Sequence, residues 1–441
     1  MENTKVLKFN LNETDGGFKP MNATNGGPWH KRHTNDQYRS NFKAYKAARM
    51  PYSRNHDSQM CGVYGGPYSH DITAIFPNFD ADENDPNSYD FACTDESILC
   101  TLEAGTETFF RLGQTIEHQI KKHGTLPPKD FHKWARICEH IIRHYNEGWA
   151  DGYHLGIQYW EVWNEYDLNP EEAPNQQTWG GTAAQFFDLF EISMKHLKAR
   201  VPHLKIGGPA SVGSYPDRCE RFFQEMQKRE VPMDFYSWHT YDVEPTNVMK
   251  RANAMRELMT KYGYGHIESI LNELNYVANW NKYFTDSIMH IHGIKGAMFA
   301  LTCMTEGQAN KGLDMIMYYD TRPSAFCGAF DFYTYAPLKT YYSLMWYGMF
   351  YDMEHYVPCQ NKEDQLYTMC GKNNEGKVLA IVSHYSDDPT TADKEVKVDF
   401  GKNGTYEIYA LDNDHDGELV ATTSDLTFTM PVCSALLIKE I

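Results

Sequence analysis

Tyr159-Trp160-Glu161-Val162-Trp163-Asn164-Glu165-Tyr166-Asp167-Leu168 reads as a buried strand that ends in an Asn-Glu pair flanked by aromatic residues. A strand covered on both faces loses strict alternation and becomes a near-continuous apolar run. Ile157 to Trp163 fits, apart from two polar residues, Gln158 and Glu161. The carboxyl of Glu165 then stands at the carboxyl end of a strand, where barrel enzymes place their chemistry. Burial among the neighbouring indoles and phenols is expected to raise its pKa and keep it protonated as a general acid. The plainer reading of the same residue is an acidic helix cap or a surface loop.

Strand-like runs recur along the chain with helix-like segments between them, the pattern of a parallel sheet. Their ends are placed near Ala23, Asn55, Leu112, Asn164, Gly207, Tyr241, Asn272 and Tyr319. Eight ends predict a closed α/β structure, a (β/α)8 TIM barrel. The clearest helix runs from Lys129 to Asn146, with Pro127-Pro128 before it and Gly148 after it as boundary signals. A second spans about Ala183 to Ala199. The Gly-, Pro- and Asp-rich stretch from Cys61 to Glu96 is far longer than an ordinary connection. Its aromatics Tyr64, Tyr68, Phe76, Phe79, Tyr89 and Phe91 mark it as a wall of the substrate site.

After Phe350 the pattern changes to short alternating strands, Leu366 to Cys370, Val378 to Ser383, Val396 to Phe400, Thr405 to Leu411 and Ala435 to Lys439. A catalytic barrel over 15–350 is therefore expected, followed by an accessory β-sandwich over 351–441 that the N-terminal segment 1–14 joins.

The 441 residues carry a formal charge of −18 and 14% aromatics. That charge repels a phosphate backbone, so nucleic acid is not expected as a partner. No apolar run reaches the roughly 18 residues of a membrane span, so no membrane partner is expected either. The ten cysteines contain no Cys-x-x-Cys pair, and Met1 to Asn10 does not look like a secretory leader. A cytoplasmic protein with reduced thiols is expected, although a mature secreted chain would look the same; a homo-oligomer is left open.

A second carboxylate stands out at Glu273, in Ile270-Leu271-Asn272-Glu273-Leu274-Asn275, about two and a half βα units after Glu165. Barrel strands four and seven then face each other across the mouth. Glycoside hydrolysis needs such a pair, one carboxylic acid to protonate the leaving oxygen and one carboxylate to attack or to activate water. Arg54 and His56 follow the second strand, and a guanidinium beside a carboxylate favours its ionised form. His239 and Tyr241 share the inward face of the sixth strand, from which Tyr241 can donate a hydrogen bond to Glu273. Taken singly, each of these residues is more often structural.

Trp160-Glu161-Val162-Trp163-Asn164-Glu165 resembles the acid/base signature of glycoside hydrolase family 39, a clan A family of β-xylosidases and α-L-iduronidases. Asn25-Gly26-Gly27-Pro28, Phe110-Arg111-Leu112-Gly113, Lys205-Ile206-Gly207-Gly208-Pro209 and Ser237-Trp238-His239 are similar to it as well. The resemblance implies that Glu165 is the acid/base and Glu273 the nucleophile of a retaining enzyme. It also implies that Asn164 bonds the sugar 2-hydroxyl and that Arg54, His56, His239 and Tyr241 support the site. Trp163, Tyr166 and Tyr319 complete the expected substrate-binding set. Tyr166 stands where Pro often follows the Asn-Glu pair, and Asn272 and Leu274 flank Glu273 where Thr and Trp are common.

The expected substrate is a non-reducing-end β-xyloside or similar pentoside of an oligosaccharide or polysaccharide. Arabinosides, galactosides, uronides, internal bonds and a non-catalytic carbohydrate-binding barrel are the alternatives. No cofactor is expected, since no Gly-x-Gly-x-x-Gly or phosphate loop follows a strand. No metal is expected either. Asp412-Asn413-Asp414-His415-Asp416-Gly417 begins like a calcium loop but has Thr423 at its twelfth position, so it reads as a hairpin turn. His140 and His144, at ligand spacing on the first helix, read as a solvated face.

Overall fold

The strands predicted from the sequence close on themselves. A computed structural model describes residues 4–28, 40–58, 68–281, 284–324, 326 and 328–441. Strand β1 (Lys5–Lys8) precedes eight parallel strands: β2 (Ala23–Asn25), β3 (Tyr52–Arg54), β4 (Glu107–Leu112), β5 (Tyr159–Val162), β6 (Lys205–Val212), β7 (Phe235–Asp242), β8 (Glu268–Tyr276) and β9 (Met315–Tyr318). They form a closed barrel in chain order, shut by parallel pairing of β2 with β9. β6 and β8 run several residues beyond the ends expected at Gly207 and Asn272.

Inward positions recur every second residue and stack in layers, as a pleated strand dictates. The bottom layer is apolar: Ala23, Phe109, Tyr159, Phe235, Ile270, Met315 and Met317. Two residues further along β2, β3, β4 and β5 the inward side chains turn polar: Asn25, Arg54, Arg111 and Glu161. Trp160 and Val162, at the alternate positions of β5, belong to the main core between barrel and helices.

The helix expected from Lys129 runs over Phe131–Glu147, because the Asp130 side chain caps it by accepting from the His132 and Lys133 amides. Gly148 ends it in the left-handed region, φ 74°. The second helix covers Ala183–Arg200 behind a capping box of Thr182 and Gln185. His140 and His144 are not solvated, contrary to the expectation. Both are buried: His144 stacks on Phe91 at 3.6 Å and pairs with Asp95 at 3.1 Å, and His140 packs on Trp149 at 4.4 Å.

Tyr64 and its neighbours 61–67 lie outside the described residues. The remainder of the long stretch, from Tyr68 on, does not line the cavity into which Glu165 and Glu273 open, and its last residues open the helix Ala92–Glu103. Phe76, Tyr89 and Phe91 instead fold inward, with Tyr89 on Trp149 at 5.0 Å, where packing against the core takes their apolar area out of water.

Beyond the barrel lie β10 (His355–Val357), β11 (Leu366–Lys372), β12 (Val378–His384), β13 (Lys394–Asp399), β14 (Tyr406–Leu411), β15 (Asp416–Thr423), β16 (Thr427–Met430) and β17 (Ser434–Glu440). Six form an antiparallel sheet in the order β10-β11-β12-β17-β14-β15, and β1 pairs in parallel with β13 in a three-stranded sheet, β1-β13-β16. Val378, Ala380 and Val382 meet Leu7, Val396 and Val398 in the core between the two sheets. Leu379 and Ile381, on the opposite face of β12, join the barrel-side core, and Thr302 of the helix Ile294–Ala309 approaches Ser383. The calcium-like run is the hairpin turn between β14 and β15: the Asp412 carboxylate accepts from the Asp414 and His415 amides.

Candidate active site

The polar layer of the barrel holds two buried cations, Arg111, which pairs with Asp71, and Arg54, which gathers the rest of the layer. The Arg54 side chain has no solvent exposure, and its guanidinium reaches four acceptors: Glu161 Oε2 at 2.6 Å, Glu273 Oε1 at 2.9 Å, Asn164 Oδ1 at 2.6 Å and Asn25 Oδ1 at 3.1 Å. Asn272 Nδ2 donates to the other oxygen of Glu161, and Asn25 Nδ2 donates to the Asn272 carbonyl. A buried charge persists only when it is paired and its remaining hydrogen-bond capacity is used. Fixing Asn164 Oδ1 on the guanidinium also fixes which way its amide nitrogen points.

Glu273 reaches this layer through a break in strand register. Trp238 pairs with Leu271, but His239 pairs with Glu273, so Asn272 is an extra residue on β8. A bulge of this kind re-aims side chains. Asn272 and Glu273 are both buried and both bond inward-facing partners, Glu161 for the first and Arg54 for the second. Tyr241 O–H donates to Glu273 Oε2 at 2.8 Å, as the sequence predicts.

Glu165 follows β5 in a tight turn in which Trp163 and Glu165 both adopt left-handed φ, 74° and 46°. Non-glycine residues there cost on the order of 1–3 kcal/mol and persist only when their surroundings hold them. The Glu165 amide donates to the Ala210 carbonyl at 3.0 Å, and its own carbonyl accepts from Thr178 Oγ1 at 2.5 Å. Its carboxyl sits 2.8 Å from His239 Nδ1, which is also 3.4 Å from Glu273 Oε2. One ligand-type atom from each of Glu165, His239 and Glu273 lies within 4.8 Å of the others. Such a trio has the donors a divalent cation uses, and the imidazole contact meets the same need as a hydrogen bond.

The two carboxyls differ in their surroundings. Burial pushes the Glu165 pKa up to about 7; Arg54 opposes the rise and the charge of Asp57 adds to it. Burial also raises Glu273, but Arg54 and the Tyr241 hydroxyl pull it back towards the ionised form. Burial lowers His239 to about 4 and His56 well below its ordinary value, so both rings are neutral at neutral pH.

These groups open into a cavity of about 960 Å³ lined by His56, Asp57, Glu165, His239, Tyr241, Glu273 and Tyr319. Trp280 forms part of its rim, half exposed, edge-on to Tyr241 at 4.9 Å and beside Phe326 at 6.0 Å. Leu168, Ile116, Gln177 and Tyr215 line it elsewhere.

Two expected residues are elsewhere. Tyr166 stacks on Phe186 at 4.0 Å and packs near Phe222, and Trp163 packs on Trp179 while its indole N–H donates to the Thr178 carbonyl. Both point into the helix layer because the turn at Asn164 sends its flanking rings outward. The rings expected to desolvate Glu165 therefore do not surround it: Trp160 also faces the main core, and Tyr159 fills the bottom layer. Leu274 likewise belongs to the main core, and Asn272 serves Glu161. The sequence reading missed Asn25, Glu161 and Asp57. Glu161 had a signal, a charge inside an otherwise apolar barrel strand; Asp57 had none beyond following Arg54 and His56.

A sequence model of the glycosyl hydrolases family 39 matches residues 28–290. The chain is 24% identical over 236 residues to a β-xylosidase from Geobacillus stearothermophilus, a match covering 46% of this chain and 44% of that protein. The match thus spans less than half of that relative's length. In structure the chain is similar to a glucosidase from Croceicoccus marinus, with a TM-score of 0.78 and 20% identity over 99% of this chain and 98% of that one. It is also similar to a monomeric β-xylosidase from Caulobacter crescentus, with a TM-score of 0.70 and 13% identity over 99% of both chains. At such identities the structural likeness speaks for the shared fold. The family model, by contrast, covers more than half of the chain and runs through the segments that carry Asn164, Glu165 and Glu273, and on it the protein belongs to family 39 of the glycosyl hydrolases.

Proposed function

We propose that the protein is a retaining glycoside hydrolase working by double displacement, with Glu273 as nucleophile and Glu165 as acid/base. The observation that carries this reading is the close pair of carboxyls with unlike partners: oxygens within 4.8 Å, one held by Arg54 and Tyr241, the other raised to about 7. Retaining enzymes hold the two groups about 5–5.5 Å apart, and inverting enzymes about 6.5–9.5 Å, to admit a water.

In the first step Glu273 attacks the anomeric carbon, the glycosidic C–O bond breaks, and Glu165 gives its proton to the departing oxygen. Esterification removes the charge on Glu273, and with it a reason for Glu165 to stay protonated. Glu165, now a carboxylate, takes a proton from water as the water oxygen attacks the same carbon. The ester bond to Glu273 breaks, which restores both carboxyls. Tyr241 and Arg54 hold the nucleophile in place through both steps. Asn164, fixed by Arg54, is assigned to the sugar 2-hydroxyl.

A non-reducing-end β-xyloside or similar pentoside is the substrate we assign, supported by the family and by the β-xylosidase relative. Turnover of aryl glycosides of xylose, arabinose, galactose, glucose and uronic acids tests it: a preference for the xyloside supports the assignment, and inertness towards all of them refutes the enzyme reading.

Because the acid must be protonated, kcat/KM is expected to fall above about pH 7, by about tenfold per unit. Glu165→Gln should abolish this alkaline limb and slow glycosides with poor leaving groups by roughly 10²- to 10⁴-fold, while activated aryl glycosides lose much less. A limb that survives in Glu165→Gln assigns the proton to another group. Trp280→Ala, which strips an aromatic face from the rim, is expected to raise KM about tenfold with kcat little changed, as loss of uniform binding does. An unchanged KM places the substrate away from that wall.

A further inference from the structure

Asp57 lies in the same cavity as Glu165 and Glu273, yet its carboxylate bonds neither the barrel's polar layer nor either of those carboxyls. Its side chain is 15% exposed. Three groups approach its oxygens, Tyr319 O–H at 3.2 Å, His56 Nε2 at 3.3 Å and the Ile116 amide at 3.4 Å. All three contacts are longer than the roughly 2.7–2.9 Å of a charge-assisted hydrogen bond, so the carboxylate keeps accepting capacity towards the cavity.

Its backbone, in contrast, is firmly held. Asp57 adopts a left-handed φ of 53°, and its carbonyl accepts from Arg322, whose guanidinium is in turn clamped by Asp320 and also donates to the Tyr319 hydroxyl. A side chain fixed from behind and under-used in front is built for a ligand. The charges nearby bear on which ligand. Among the described residues that line the cavity the carboxylates are Asp57, Glu165, Asp242 and Glu273, with no Lys or Arg among them. Arg54, which reaches Glu273, and Arg322, which donates to the Asp57 carbonyl, are engaged by Glu161 and Glu273 and by Asp320.

We propose that Asp57 sorts the sugars: its carboxylate accepts hydrogen bonds from a hydroxyl-bearing edge of a neutral glycone and repels a sugar that carries a carboxylate there. This inference rests on the glycosidase reading given above and goes further by naming neutral sugars as the substrate class and uronides as the excluded one. A hydroxyl donates to a carboxylate strongly, whereas a second carboxylate brings like charge and no donor. The charge of Asp57 also acts on Glu165, whose pKa it raises.

The test compares three aryl glycosides that share one leaving group, the β-xyloside, β-glucoside and β-glucuronide, in the wild type, Asp57→Asn and Asp57→Ala. Asp57→Ala is expected to raise KM for the neutral sugars about tenfold or more. Asp57→Asn keeps the shape and removes the charge; it should raise the glucuronide-to-glucoside ratio of kcat/KM about tenfold and move the alkaline limb to lower pH. The limb shift reports only the lost charge beside Glu165, whereas a merely structural role for Asp57 leaves the glucuronide-to-glucoside ratio unmoved. An unchanged ratio and KM in the folded Asp57→Asn protein, wherever the limb lies, overturns this inference alone. A wild type that prefers the glucuronide also overturns it and leaves the glycosidase reading standing; a wild type inert to all three and to the arabinoside and galactoside overturns both.

Discussion

Glu273→Gly is expected to lose turnover of an aryl glycoside by a factor on the order of 10⁴–10⁶, the scale on which covalent catalysts fail when their nucleophile is removed. The protein should fold, because the deletion removes a carboxyl that burial disfavours and leaves Arg54 still paired with Glu161 at 2.6 Å. The space vacated beside Tyr241 and Arg54 suits a small anion. Azide should therefore restore turnover of an activated substrate by attacking the anomeric carbon from the face that Glu273 used. The product is then a glycosyl azide of inverted configuration, since one displacement has replaced two. Wild-type rates in Glu273→Gly would remove Glu273 from the chemistry. Azide rescue with retained configuration would point to a second nucleophile.

Arg54→Met is expected to affect folding and turnover together. Glu161 is fully buried and has two partners, Arg54 and Asn272. Removing the cation leaves its charge and that of Glu273 in the barrel with too few donors, and breaking a buried pair in this way costs about 3–5 kcal/mol. Denaturant unfolding measures that loss. Turnover should fall as well, because Arg54 is one of the groups that lower the Glu273 pKa. The sign follows: with the cation gone Glu273 holds its proton to higher pH, so the acid limb of kcat/KM moves up. Arg54→Met combined with Glu161→Gln separates the two effects. Stability should largely return, since no unpaired Glu161 charge remains, while the displaced acid limb should persist. Recovery of both would make Arg54 purely structural.

The legible part of this protein was the part governed by period and punctuation. Barrel strands announced themselves as short apolar runs, and the helix at Phe131–Glu147 by its three- and four-residue spacing and its terminal Gly148. Glu165 and Glu273 stood out because a carboxylate at the end of an apolar run is conspicuous. What stayed hidden depends on direction rather than composition. Trp163 and Tyr166 stand on either side of Glu165 in sequence, but left-handed residues at 163 and 165 aim their rings into the helix layer. Glu161 looked like an exception in an apolar strand, although in the barrel it is the inward residue one layer above Tyr159. The extra residue on β8 that brings Asn272 and Glu273 to the same interior is a pairing event between strands, with no local signature. β15 escaped notice because most of its residues are exposed and carry no apolar alternation. From Tyr68 on, the aromatic wall expected of the long loop does not line the cavity, because aromatic residues in a Pro- and Gly-rich stretch can pack backwards as readily as forwards.

Covalent capture tests the central claim most directly. An activated 2-deoxy-2-fluoro-β-xyloside forms the glycosyl-enzyme faster than the enzyme hydrolyses it, so mass spectrometry of the peptides can locate the ester. A single adduct on the peptide that contains Glu273, lost on Glu273→Gly, is the predicted result. An unlabelled Glu273 peptide in an enzyme that still hydrolyses the parent xyloside, or an adduct on Glu165, would contradict double displacement at this pair.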